Sequence, residues 1–197
     1  MHERIISLYE ENAAAWDRQR GRDLHERDWL ERFAALLPEG GRVLDIGCGM
    51  GEPIARWLIG RGFSVTGVDS APAMIALCEE RFPKSSWQVA DMRELALGER
   101  FDGLIAWHSL FHLRPEDQPP MFARFADHSA PGAALMFTSG PERGESIGEW
   151  RGEPLYHGSL DPAEYRRLLA GNGFAVVEYR QHDPDCGRSN VWLARHR

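Results

Sequence analysis

The hydrophobic positions change rhythm at the PEGG stretch, residues 38–41. Upstream they keep helical spacing. Ile5, Leu8, Tyr9, Ala13 and Trp16 predict an amphipathic helix over residues 3–19, broken by Gly21. Leu30, Phe33, Ala34 and Leu37 predict a second helix that ends at Pro38. Downstream, short apolar runs alternate with helical segments. RVLDIG (42–47), FSVTGVD (63–69), SWQVAD (86–91), FDGLIAWHS (101–109) and GAALMFTSG (132–140) read as strands. The helical segments are 51–62, with Pro53 in its first turn, 70–82, N-capped by Ser70, 115–129 and 161–174. FAVVEYRQH and SNVWLARHR close the chain as two strands with only DPDCGR between them, which predicts an antiparallel pair. Residues 139–160 carry many Gly, Glu and Pro without a clear period, and read as an insertion with a short hairpin.

Alternating strands and helices predict an α/β fold: a doubly wound, mostly parallel sheet with helices on both faces. The chain has 197 residues, 43% of them hydrophobic, which suits one domain over 1–197 with a sizeable core. Thirty acids against 23 Lys and Arg give a net charge of -7, and no basic run offers a nucleic acid a face. No apolar run approaches the ~20 residues of a membrane span. The start, MHERIISLYEENAAAW, is charged and lacks the apolar segment of a secretory signal. Cys48, Cys78 and Cys186 are odd in number and have no C-x-x-C spacing, which argues against a disulfide framework or a zinc site and fits a reducing cytosol. The expectation is a cytoplasmic protein with a small-molecule partner, no nucleic acid, no membrane and no metal.

The junction between the first strand and its helix carries the chemistry. Asp45 precedes Gly47, Gly49 and Gly51, set at every second position. Glycines there let the backbone turn sharply and approach a ligand, or simply make a tight turn. Asp69 ends the second strand, twenty-two positions after Gly47. A carboxylate so placed accepts hydrogen bonds from ribose hydroxyls. Asp91 ends the third strand with Met92 behind it, a pair that would take an adenine amino group and cover its ring; Asp91 reads equally as a turn residue. The glycine spacing is not that of a dinucleotide loop, and a carboxylate at Asp45 repels phosphates but can hold an ammonium.

The segments VLDIGCGMG, VTGVDSAPAMI, VADMREL and FDGLIAWHSLFHL together resemble the successive motifs of class I S-adenosylmethionine-dependent methyltransferases, in the small-molecule branch with an LDxGCGxG first motif. The resemblance covers roughly residues 1–140. It implies a Rossmann-like seven-stranded sheet with an antiparallel last strand, and S-adenosyl-L-methionine as cofactor. The loop of Gly47, Cys48, Gly49 and Gly51 would wrap the cofactor's amino acid portion. Asp69, with Ser70 and Met74 in the same motif, would hold the ribose, and Asp91 with Met92 the adenine. Ala106, Trp107 and His108 would lie beside the methionine part. The segment YEENAAAWDRQR resembles a cofactor-capping helix, so residues 1–38 are expected to form cap helices with Tyr9, Trp16 and Arg20 facing the site. The alternative is an amphipathic helix packed on the core.

Methyl transfer from a sulfonium needs alignment of nucleophile, carbon and sulfur, and in some cases a base. His108 and His112, four positions apart, are the candidate bases, with packing or hydrogen bonding as the competing role. His112 with Trp150, Tyr156 and His157 of the insertion would shape the acceptor pocket. A catalytically silent cofactor-binding module carries the same motifs; an open acceptor cavity distinguishes the two. Monomer and homodimer are both compatible with the sequence.

Overall fold

The computed structural model describes residues 4–19 and 21–197. Two helices, α1 (Arg4–Gln19) and α2 (Arg27–Ala34), precede β1 (Arg42–Ile46), α3 (Ile54–Gly60), β2 (Ser64–Asp69), α4 (Pro72–Arg81), β3 (Ser86–Val89) and β4 (Phe101–Ala106). Then come α5 (Pro119–Asp127), β5 (Ser129–Ser139), β6 (Gly144–Trp150), β7 (Glu153–Ser159), α6 (Pro162–Gly171), β8 (Phe174–Asp183) and β9 (Ser189–His196).

Seven strands form one sheet in the order β3-β2-β1-β4-β5-β9-β8. The first five strands pair in parallel, while β9 runs antiparallel to both β5 and β8. The fold is therefore the Rossmann-like α/β sheet with an antiparallel last strand that the sequence predicts. β6 and β7 pair separately as an antiparallel hairpin within residues 139–160.

The strands are apolar on both faces, as a sheet covered on both sides requires. Leu44 and Ile46 of β1, Leu104 of β4 and Leu135 and Phe137 of β5 meet α5 and α6 on one face. Val43, Ile105 and Met136 meet α2, α3 and α4 on the other. Trp29, Leu30 and Phe33 bury α2 in that second layer. Trp29 of α2 donates to Asp183 at the end of β8 at 2.7 Å, while α1 lies over the carboxyl ends of β1 and β2. There Tyr9, Ala13 and Trp16 join Met50, Ala71 and Met74 in a small third cluster. The Glu10 carboxylate accepts the Ala73 amide proton at 2.7 Å, and Asp17 pairs with Arg81 at 2.6 Å, which ties α1 across the start and end of α4.

Two helix starts differ from expectation. Ser70 does not cap α4: its N-cap is Ala71, with no side-chain cap. The Asp69 carboxylate accepts the Ala71 amide proton instead, at 2.9 Å. The predicted helix over 115–129 is a 3-10 turn at 115–117 followed by α5, with Ser129 already in β5. Among the described residues no helix is long and apolar enough to cross a membrane.

Candidate functional site

The chain reverses its winding at β1, which has β2 on one side and β4 on the other. Such a switch point opens a crevice at the carboxyl ends of the strands. A cavity of about 400 Å³ lies there.

Its floor is the glycine loop. The Gly47 and Cys48 amides both donate to the Val68 carbonyl, at 2.8 and 3.0 Å, folding the loop onto β2. Gly47 has a φ of +75°, and a Cβ on it would sit 2.3 Å from the Ser109 Cβ. The close approach is fixed by Ser109, whose hydroxyl donates to the Ile46 carbonyl at 2.7 Å and so joins the ends of β1 and β4. Gly51 serves packing: a Cβ there would meet the Phe82 ring at 2.9 Å, and the residue does not line the cavity.

Three carboxylates reach the cavity from three adjacent strand ends. Asp45 is 3% exposed. Asp69 accepts from the Gly49 and Ala71 amides, each at 2.9 Å; burial raises its pKa against the pull of those N–H groups. Asp91 is gripped through both oxygens by Arg93, which holds its carboxyl below the usual carboxylate range. A fourth acid, Glu52, lines the wall; burial pushes its pKa up, but Arg56 and Arg22 outweigh burial and leave it lowered.

Imidazoles and apolar side chains make the other end. His108 has a φ of +50°, its amide donates to Thr138 Oγ1 at 2.9 Å, and its Nε2 lies 3.2 Å from Ser189 Oγ. His112 follows in a 3-10 turn over Leu110–His112, so the two rings do not share one helical face. Its Nδ1 lies 3.0 Å from the Tyr156 carbonyl, and its Nε2 lies 3.1 Å from the Tyr9 hydroxyl. A carbonyl only accepts, so Nδ1 carries the proton and Nε2 accepts from Tyr9. Burial lowers the His112 pKa to about 4; the Tyr156 carbonyl opposes this and the neighbouring His157 adds to it. His157 stacks on His112 with ring centroids 5.4 Å apart, and burial lowers its pKa as well.

The cavity gathers Tyr9, Trp16, Asp45, Gly47, Cys48, Gly49, Asp69, Ser70, Met74, Asp91, Met92, Trp107, His108, His112 and His157. Four of the expected residues among those described fall elsewhere. Arg20 lies outside the described residues. Gly51 packs on Phe82, and Ala106 is wholly buried in the core. Trp150 meets Trp16 edge-on at 5.0 Å, behind the cavity wall. Tyr156 points to the opposite side of β7, where its hydroxyl donates to Glu145 at 2.9 Å. Alternation along a strand explains this: Leu155 and His157 face the cavity, and the residue between them cannot. Ile5, Ile6, Phe111, Leu113 and Leu155 also line the wall, as do Met50, Ile54 and Ala90, and none of these was singled out from sequence as a site residue. Ile5 did belong to the apolar period of the first helix.

The donor set tests which ligand fits. Carboxylates dominate the loop end, the Gly47, Cys48 and Gly49 amides already donate to Val68 and Asp69, and the guanidinium there, on Arg93, is engaged by Asp91. This suits a ligand with ammonium and hydroxyl groups and disfavours one with phosphates. Among the described residues no group of His, Cys, Asp or Glu is arranged to hold a metal ion.

A family model described as a methyltransferase domain matches residues 16–179. The chain is similar to an O-methyltransferase of Pyrenophora dematioidea, 28% identical over 82% of this chain and 66% of that protein. It is also similar to the 27-O-demethylrifamycin SV methyltransferase of Amycolatopsis mediterranei, 30% identical over 91% of this chain and 71% of that one. The chain thus spans about two thirds of the length of these relatives. Among solved structures, the fold matches the SAM-bound CalS10 amino pentose methyltransferase of Micromonospora echinaspora with a TM-score of 0.75, at 21% identity, over 95% of this chain and 96% of that one.

Proposed function

The chain belongs to the class I S-adenosylmethionine-dependent methyltransferases, and from that premise we propose that it transfers a methyl group to the hydroxyl or amine of a small molecule. One observation carries the reading: carboxylates at three successive strand ends and an open, apolar and imidazole-lined recess share a single cavity. A silent binding module would need only the first half. The recess formed by Ile5, Ile6, Phe111, Leu113 and Leu155 favours the transferase.

In this reading Asp45 and the Gly47–Gly49 backbone hold the amino acid end of S-adenosylmethionine. Asp69 takes the ribose, with its oxygens aimed by the Gly49 and Ala71 amides, and Asp91 with Met92 takes the adenine. The cofactor supplies a methyl group already activated by its positive sulfur. The protein's share is alignment, and the Trp107 ring and buried carboxylates stabilise positive charge beside them. α1 closes over the crevice through Tyr9 and Trp16 and excludes water. Where the acceptor must lose a proton, the imidazoles of His108 and His157 stand at the recess to receive it. The 139–160 hairpin shapes the acceptor end, and a second hollow of about 420 Å³ under it, sharing Phe111 and His157 with the first, extends the acceptor's room.

We place the protein in the cytoplasm, as a monomer or homodimer without nucleic-acid or membrane partners, on its acidic charge and free thiols. The test is a screen of small-molecule alcohols and amines with isotope-labelled S-adenosylmethionine, read by product mass. Labelled product supports the transferase. Tight cofactor binding with no product across a broad panel supports the silent module.

A further inference from the structure

We propose that His112 is a positioning residue: its imidazole couples α1 to the 139–160 hairpin, so that the cover over the cofactor and the wall of the acceptor pocket close as one unit. The proposal rests on the reading of the cavity as a methyltransferase site, but its geometry stands independently.

Three segments far apart in the chain meet at this ring. The 3-10 turn after β4 carries it. Tyr9 of α1 donates its hydroxyl proton to Nε2 at 3.1 Å. Nδ1–H donates to the main-chain carbonyl of Tyr156 in β7 at 3.0 Å. Both ring nitrogens are thereby engaged, each with a different element of the pocket. Each bond also fixes the other: the carbonyl dictates the tautomer, and the tautomer leaves the lone pair that Tyr9 requires. His157 stacks on the ring and Phe111 meets it in a T-shaped contact, at centroid distances of 5.4 and 4.9 Å.

The direct contacts between α1 and the hairpin are weaker in direction. Arg4 and Glu153 pair at 3.5 Å with side chains 69% and 46% exposed, a type of pair that contributes little. Trp16 and Trp150 touch edge to face, which holds two surfaces together without fixing their register. The hydrogen bonds through His112 are directional and lie at the acceptor end, where an error of an ångström moves the bound nucleophile off line. A ring committed in this way is poorly placed as a base, because accepting a proton at Nε2 would displace the Tyr9 hydroxyl proton.

The experiment compares wild type, His112→Ala, His112→Gln and Tyr9→Phe as full chains saturated with S-adenosylhomocysteine. Amide hydrogen exchange is followed over residues 4–19 and 144–159. Gln can donate to the carbonyl and accept from the hydroxyl, yet it cannot take a proton near neutral pH. The expected result is at least fivefold faster exchange in both segments for His112→Ala, and return to within about twofold of wild type for His112→Gln. Tyr9→Phe should loosen residues 4–19 and, through the ring, residues 144–159 at least twofold; loosening confined to 4–19 would overturn the coupling. Any acceptor found by mass screening should be methylated by His112→Gln with kcat within about fivefold of wild type. The proposal is overturned if His112→Ala changes neither segment or only one, or if Gln fails to restore them. It is also overturned if Gln restores exchange but kcat falls a hundredfold, since that loss marks a base. Should His112→Ala fail to fold, the Gln and Tyr9→Phe comparison decides alone. Failure of wild type to bind S-adenosylhomocysteine would count against the methyltransferase reading, and the same comparison without ligand would still report on the coupling.

Discussion

The Asp69 carboxylate receives the Gly49 amide proton at 2.9 Å, so the acid ending β2 also holds the glycine loop that follows β1. One side chain thus organises the loop and presents the oxygens proposed to meet the ribose. Asp69→Ala should keep the sheet, because the large apolar clusters do not include Asp69. It should weaken S-adenosylhomocysteine binding by about 1–3 kcal/mol, the scale for unpairing hydrogen-bonded polar groups. Circular dichroism with calorimetry checks both halves, and unchanged affinity in a folded variant would reduce Asp69 to a turn residue.

The three loop glycines should not be equivalent. Gly47→Ala puts a Cβ 2.3 Å from the Ser109 Cβ at a φ of +75°, whereas Gly49→Ala meets no atom within 4 Å and bears only the strain of its φ of +53°. Gly49→Ala should cost about 1 kcal/mol of stability, and Gly47→Ala should cost more than twice that and open the joint between β1 and β4. Urea unfolding of the two variants gives the comparison; equal losses would contradict the close approach.

Hydrogen exchange should slow across residues 4–19 when S-adenosylhomocysteine binds, because α1 covers the cavity through Tyr9 and Trp16. Removal of residues 1–20 should leave a folded chain with much weaker ligand binding, since neither large core cluster includes an α1 side chain. Equal exchange with and without ligand, together with normal binding by the truncated chain, would make α1 ordinary packing.

Acid should destabilise the protein through His112. Its folded pKa is about 4 against an ordinary 6.5. The unfolded chain therefore binds the proton first, and no penalty exists above pH 6.5. As pH falls from 6.5 towards 4, stability is lost progressively, by about 1–3 kcal/mol for a ring that keeps some solvent exposure. His157 faces it and shifts in the same direction. His112→Gln should flatten the fall of melting temperature over this window. An unchanged slope would mean that the His112 pKa is not lowered in the folded chain.

Much of this architecture was legible in the sequence. Short apolar runs and period-3.6 patterns located the strands and helices, and three acids at successive strand ends marked the crevice, because the strands of a parallel sheet end along one edge. What stayed hidden depends on pairing between distant segments. Ser70 looked like a helix cap until Asp69, one residue earlier, took the Ala71 amide. Tyr156 and His157 looked equivalent in a segment without clear period; the β6–β7 register separates them onto opposite faces. The partners of His112 lie at positions 9 and 156, and no local pattern announces them. Gly51 and Ala106 shared motifs with ligand-facing neighbours, but the turn and the pleat aim them into the core.

The central claim is that the crevice accepts an adenosyl amino acid rather than a dinucleotide. Isothermal titration of the full chain with S-adenosylhomocysteine, and in parallel with NAD, tests it most directly. The account predicts saturable one-to-one binding of S-adenosylhomocysteine, abolished or strongly weakened by Asp69→Ala, with no measurable heat from NAD. Binding of NAD without binding of S-adenosylhomocysteine would contradict it.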